Sequence, residues 1–190
     1  MISAQFRFDK ATHAYFIGEK RVWSITQLLD LGGHTDDRWF TEEDAERGTI
    51  VHQLCADFDF GAIDETYEGI HAGYLQAYIA ISKVVSFKWR HVETGAAHAE
   101  HRFAGTPDRV GEVLGALAVA DLKSGSVAPW QGIQTALQAI LVASELHLPP
   151  DRIRRYVIRL RPNGRYTLIE HKDHREFHEA YRLIDKFCRA

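Results

Sequence analysis

The chain has 190 residues, of which 45% are hydrophobic and 26% charged, and its formal net charge is −3. That length and balance fit one soluble domain with a sizeable core. The charge argues against a protein that coats nucleic acid by overall attraction, although a local basic groove stays compatible with it. Two cysteines without CxxC spacing exclude a zinc ribbon and a four-cysteine iron–sulfur cluster, and they fit a reducing compartment. No apolar run reaches the roughly 18 residues of a membrane span. The opening "MISAQFRFDK" lacks the apolar core of a signal peptide, so a cytoplasmic protein with no membrane contact is expected.

Residues 5–26 alternate apolar and polar side chains around "IGEK", which predicts a β-hairpin. Ser24 or Thr26 is placed to cap a short helix that Gly32 and Gly33 stop. Thr41 and an acidic first turn open a helix over 41–60, and a second helix is expected over 66–86. Strands follow at 96–104, 106–113 and 116–123, the last two joined by "LGA". Pro129 starts a helix that ends before Pro149 and Pro150. Strands at 153–161 and 165–170 flank "PNG", and a helix over 173–188 closes the chain. The order predicts a single α/β domain over 1–190, with a hairpin and short helix in 1–40 and a core in 41–190. That core would be one central mixed β-sheet flanked by helices.

"GALAVADLKSG" at 115–125 is an apolar strand that ends in two charges, Asp121 and Lys123, which alternation puts on one face. If it pairs antiparallel with 106–113, Asp108 lies at the same end. Two carboxylates converging there repel each other unless a divalent cation sits between them, and oxygen ligands suit Mg²⁺ or Mn²⁺. Lys123 beside them would steady the charge on a phosphate or position a water. Taken alone, an Asp-x-Lys also fits a salt bridge at a strand end.

"TPD" ending at Asp108 and "DLK" at 121–123 resemble the bipartite motif of the PD-(D/E)XK nuclease superfamily, with Asp as the second acid. "RGTIVH" at 47–52 is similar to the Gly-x-x-x-His element of its RecB-like branch, which implies His52 as a metal ligand, most often for Mn²⁺. Gln134 is similar to the Gln of that branch's Gln-x-x-x-Tyr motif, whose Tyr position here is Gln138. "HAYFIGEKRVWSITQLL" looks similar to the start of small phage-encoded exonucleases of the branch. The resemblance covers roughly residues 13–145. It implies a restriction-endonuclease-like core and a metal-dependent DNA nuclease, an exonuclease, in the host cytoplasm if phage- or prophage-encoded. Asp108, Asp121 and His52, with the carbonyl of Leu122, would hold the metal, and Lys123 would be catalytic. The alternative is a module that keeps the fold and binds nucleic acid or protein without turnover.

Other residues have two readings each. Glu100 completes the site as a further acid, or is an exposed strand residue paired with Arg102 or Lys123. Gln134 orients Lys123 or a phosphate, or belongs to the wet face of an amphipathic helix. Gly48, one turn before His52, would let another backbone approach closely. In "RIRRYVIRLRPNGR", Arg155, Arg159 and Arg161 share a strand face and form a ridge for a phosphate backbone, or an edge guarded by charge. Trp89 stacks on an unpaired base, or sits at the edge of the core.

Overall fold

The alternating N-terminal stretch folds as an antiparallel meander of three strands, β1 (Phe6–Asp9), β2 (Ala14–Ile17) and β3 (Lys20–Ser24). The structure, a computed structural model, describes residues 6–35 and 41–188. Residue 5, the first of the expected hairpin, and residue 40, its boundary with the core, lie outside the described residues. The "IGEK" turn forms as expected, with Gly18 left-handed at φ +61. An additional strand precedes it through a turn in which His13 is left-handed at φ +52. Phe8, Tyr15 and Val22 are cross-strand partners on one face, and they build a small core with Ala104. Ser24 then caps α1 (Ile25–Leu31) in a reciprocal box with Gln27.

The same device opens α2 (Glu42–Asp59), where Thr41 and Asp44 cap each other. α3 (Ala72–Val84) begins six residues later than its pattern suggests. Strand β4 (Phe87–Val92) was not anticipated, although Phe87 and Trp89 alternate with Lys88 and Arg90. The segment expected as one strand over 96–104 folds back on itself as β5 (Ala96–His98) and β6 (Phe103–Gly105). Next comes the expected hairpin of β7 (Arg109–Val113) and β8 (Ala116–Lys123). Its turn residues Leu114 and Gly115 are both left-handed, as a two-residue hairpin loop requires. The chain ends with α4 (Trp130–Leu146), β9 (Arg154–Leu160), β10 (Tyr166–Glu170) and α5 (His174–Phe187).

The class is mixed α/β with an N-terminal hairpin, as expected, but the strands form two mixed sheets of five rather than one. Their orders are β1-β2-β3-β6-β5 and β10-β9-β8-β7-β4. Each contains one parallel junction, β3 with β6 and β8 with β9. A parallel pair needs a long crossover, and α4 supplies it between β8 and β9. α4 is buried along most of its length because it packs two ways. Leu137, Ile140 and Leu141 join α1, α5 and the first sheet, while Ala139, Val142 and Ala143 join Val110 and Val119 of the second. The opposite face of the second sheet packs on α2 and α3 through Tyr78, Leu122 and Tyr156. Among the described residues, no helix is long and apolar enough to cross a membrane.

The β4–β7 pairing carries an irregularity between Trp89 and His91, and Gly111 lies opposite it. A Cβ at Gly111 would stand 2.2 Å from the Lys88 carbonyl oxygen and 2.7 Å from Trp89 Cα. Backbone cannot swing aside as a side-chain tip can. Gly111→Ala is therefore expected to destabilise the fold by about 1–3 kcal/mol, measured by urea unfolding; a loss under about 0.5 kcal/mol refutes the close approach.

Candidate metal centre

The β7–β8 register pairs Arg109 with Ala120, so Asp108, just before β7, faces Asp121 across the hairpin end. Both carboxylates are buried, at 6% and 1% exposure. Asp108 Oδ2 accepts a 2.6 Å hydrogen bond from the Leu122 backbone N–H. Asp121 Oδ1 accepts from Gln138 Nε2 at 3.0 Å. Its other oxygen, Oδ2, lies 2.6 Å from Lys123 Nζ in an ion pair that lacks hydrogen-bond geometry. The Lys123 ammonium also sits 5.5 Å from the centre of the Trp130 ring, within cation–π range.

Helix α2 brings His52 onto this hairpin end. Its Nε2 lies 3.0 Å from the Leu122 carbonyl oxygen, which can only accept, so Nε2 carries the hydrogen. That leaves Nδ1 facing Glu93 Oε1 and Asp108 Oδ2, each at 3.5 Å. One ligand atom from each of His52, Glu93 and Asp108 falls within 4.8 Å of the others. The Leu122 carbonyl thus fixes the imidazole, the outer-shell bond that orients a ligating histidine. The same carbonyl is the oxygen expected from sequence as a metal ligand, and here it accepts from His52.

Glu93 is the residue that sequence reasoning missed. It follows β4 with a left-handed φ of +48, and Arg109 Nη1 holds its Oε1 at 3.0 Å. Arg109 has no exposed surface. Its Nε donates to Asp59 Oδ2 at 2.6 Å and its Nη1 to the Asp108 carbonyl at 2.8 Å. Asp59 accepts in turn from Tyr78 Oη, and Trp89 Nε1 donates to that same Tyr78 oxygen. Trp89 is therefore a core-edge residue, not a free stacking surface. The available signal was Arg109 itself, since an arginine in an apolar strand beside Asp108 needs buried acids.

Burial works against a charge on His52, but Asp108 and Glu93 outweigh it and push its pKa up to about 9. Burial pushes the Asp108 carboxyl above the usual carboxylate range, with His52 pulling it back and Asp121 and Glu93 adding to the rise. Burial also disfavours the Lys123 ammonium, yet Asp121 and Asp108 more than compensate and raise its pKa. Three carboxylates thus converge at this hairpin end, relieved by the Leu122 N–H and the Gln138 amide as well as by His52, Lys123 and Arg109. The donor set of carboxylate oxygens and one imidazole nitrogen suits a divalent cation. Asp121 Oδ2, buried without a hydrogen bond among the described residues, adds an oxygen to that set.

The remaining candidates divide. Gln134 lines the groove above the cluster, together with Gln138. Glu100 does not join the site: it is exposed in the turn between β5 and β6, in the first sheet, and Glu93 stands where that acid was expected. Arg155 is not on an exposed ridge. It is 3% exposed, paired with Glu176 at 2.8 Å and donating to the Gly132 carbonyl at 2.9 Å, because α4 and α5 cover that face of β9. Arg159, opposite Lys123 in the parallel register, donates to the Gly125 carbonyl at 2.9 Å and so anchors the loop after Lys123. Arg161 is half-buried beyond the end of β9. No backbone approaches Gly48: a Cβ built there meets nothing within 4 Å, and the residue borders the groove.

The groove has a volume of about 890 Å³, with Asp108, Asp121, His52, Glu93 and Lys123 at its floor. No protein-family model matches the chain, and none of the curated proteins matches it.

Two measurements check this geometry. An internal helical glycine costs roughly 0.5–1 kcal/mol against alanine, and no neighbour opposes a methyl at Gly48. Gly48→Ala is therefore expected to stabilise the fold by about that amount in urea unfolding, and destabilisation would overturn the open placement. The second measurement is pH dependence. A folded His52 pKa above its unfolded value contributes stability in full below about pH 6.5, and that stability is lost as pH rises to about 9. The raised Asp108 pKa tilts stability in the same direction at lower pH. In EDTA the thermal midpoint should fall between pH 6.5 and 9, and Mn²⁺ should restore more of it at the alkaline end. His52→Gln should flatten the fall, and an unchanged slope in that variant would show that His52 does not carry it.

Proposed function

We propose that this chain is a divalent-metal-dependent phosphodiester hydrolase acting on DNA, an exonuclease of the PD-(D/E)XK, RecB-like type. The observation that carries the reading is the convergence of His52, Glu93 and Asp108 within 4.8 Å, beside the Asp121–Lys123 pair. Mg²⁺ or Mn²⁺ held there supplies Lewis acidity, which lowers the pKa of a water and offsets phosphate charge. His52, Glu93, Asp108 and Asp121 are the residues that would hold it.

The chain's own residues do the rest. Lys123 keeps its ammonium charged through Asp121 and Asp108 and offers it to the phosphate as negative charge develops. Gln138 holds Asp121 by one oxygen and leaves the other beside Lys123, where it would be open to a bound cation. Where the nuclease motif would have a tyrosine, this glutamine is thus a positioning residue. Arg109 keeps Glu93 aimed and neutralises Asp59 from below. The Leu122 carbonyl fixes the His52 ring with Nδ1 toward the acids.

End-labelled single- and double-stranded DNA incubated with Mg²⁺, Mn²⁺ or EDTA tests this reading. Metal-dependent release of short products from the labelled end is expected, with none in EDTA. Lys123→Ala should lower the rate by about 10²–10³-fold while Mn²⁺ binding persists in calorimetry. Asp108→Asn should lose Mn²⁺ binding as well. DNA binding without cleavage in either metal would favour a non-catalytic module, and cleavage that survives Lys123→Ala would put the chemistry elsewhere.

A further inference from the structure

The floor of the groove belongs to the second sheet, but one of its walls belongs to the first. Lys10, His13 and Arg21 of the N-terminal meander line the same groove as Asp108, Asp121 and Lys123. Tyr15 ties the two together: its Oη lies 2.9 Å from Thr106 Oγ1, two residues before Asp108. Gly48 of α2 lines the groove as well, and nothing lies within 4 Å of where its side chain would begin.

Charge decides what this wall is for. The protein is net negative and the groove floor holds three carboxylates, so a polyanion needs cations along its approach. The arginines of β9 do not supply them. Arg154 pairs with Glu170, Arg155 with Glu176, and Arg159 with the Gly125 carbonyl. Lys10 and Arg21 are exposed, and neither has an ion-pair or hydrogen-bond partner among the described residues. A groove of about 890 Å³ is at the upper end of the range for ligand clefts, a volume that suits a few unpaired nucleotides.

We propose that the N-terminal meander is the strand-binding wall of the groove, where Lys10 and Arg21 hold phosphates of a single-stranded polynucleotide. The scissile phosphate then lies on the floor beside Lys123. This assignment rests on the phosphodiesterase reading and adds to it the strandedness of the substrate and where its backbone runs.

Anisotropy of a fluorescein-labelled oligothymidylate, titrated in EDTA at several salt concentrations, reads the wall without cleavage. Hydrolysis of bis(p-nitrophenyl) phosphate with Mn²⁺ reads the floor without the wall. The doubly substituted chain, Lys10→Ala with Arg21→Ala, should bind the oligonucleotide about tenfold more weakly. Its plot of log K against log salt should be shallower by about 1.4, two single-strand phosphate contacts. Its hydrolysis of the small diester should equal the wild type's. A closed duplex dumbbell should compete poorly for the wild-type protein. Oligonucleotide binding indifferent to the double substitution overturns the wall, as does a dumbbell that competes as well as the single strand. A wild-type chain that binds through Lys10 and Arg21 yet hydrolyses neither diester nor DNA keeps the wall and defeats the phosphodiesterase reading instead.

Discussion

Two buried carboxylates side by side, Asp108 and Asp121, set the terms for everything around them. Removing such groups from water is expensive, and their mutual repulsion adds to the expense. The fold answers with one backbone N–H, one glutamine amide, one ammonium and one imidazole, all within bonding or ion-pair distance. Beneath them a fully buried guanidinium holds a third acid, Glu93, in place and takes Asp59 as its own counterion. A core built for stability alone gains little from this arrangement, since apolar residues of similar volume would serve as well. It does hold three acids together at the edge of the groove.

The groups that relieve these acids come from separate parts of the chain. His52 is on α2, Glu93 follows β4, Lys123 ends β8 and Gln138 is on α4. The cluster therefore exists only when both faces of the second sheet are covered. Each link also fixes an orientation. The Leu122 backbone serves both sides of the centre, its N–H given to Asp108 and its carbonyl to His52.

How much of this was legible in the sequence follows from the range of each signal. Asp108, Asp121 and Lys123 were readable because a short hairpin and strict alternation fix which side chains share a face, and the register kept that geometry. His52 came from a motif on a well-capped helix. Glu93 did not, because its placement depends on a left-handed residue after an irregular strand, which leaves no periodic trace. Glu100 was misplaced because residues 96–104 turn back on themselves, and that carried it to a hairpin tip. The arginines of β9 show the same limit. Alternation correctly grouped Arg155 with Arg159, but no local pattern says that α4 and α5 will cover that face. Nor does any local pattern reveal that β6 pairs with β3, the parallel junction that draws the meander and the β5–β6 hairpin into a separate sheet.

α4 gives that separation a mechanical consequence. A cleft between two sheets invites comparison with enzymes that close like jaws. Here, however, one helix is shared by the cores on both sides of the cleft. Swinging the sheets apart would pull Leu137 and Ile140, or Val142 and Ala143, out of their packing, and close-packed interiors do not deform gradually. The cleft is accordingly a fixed gauge rather than a hinge. A helix packed into both cores ties the stability of one sheet to that of the other.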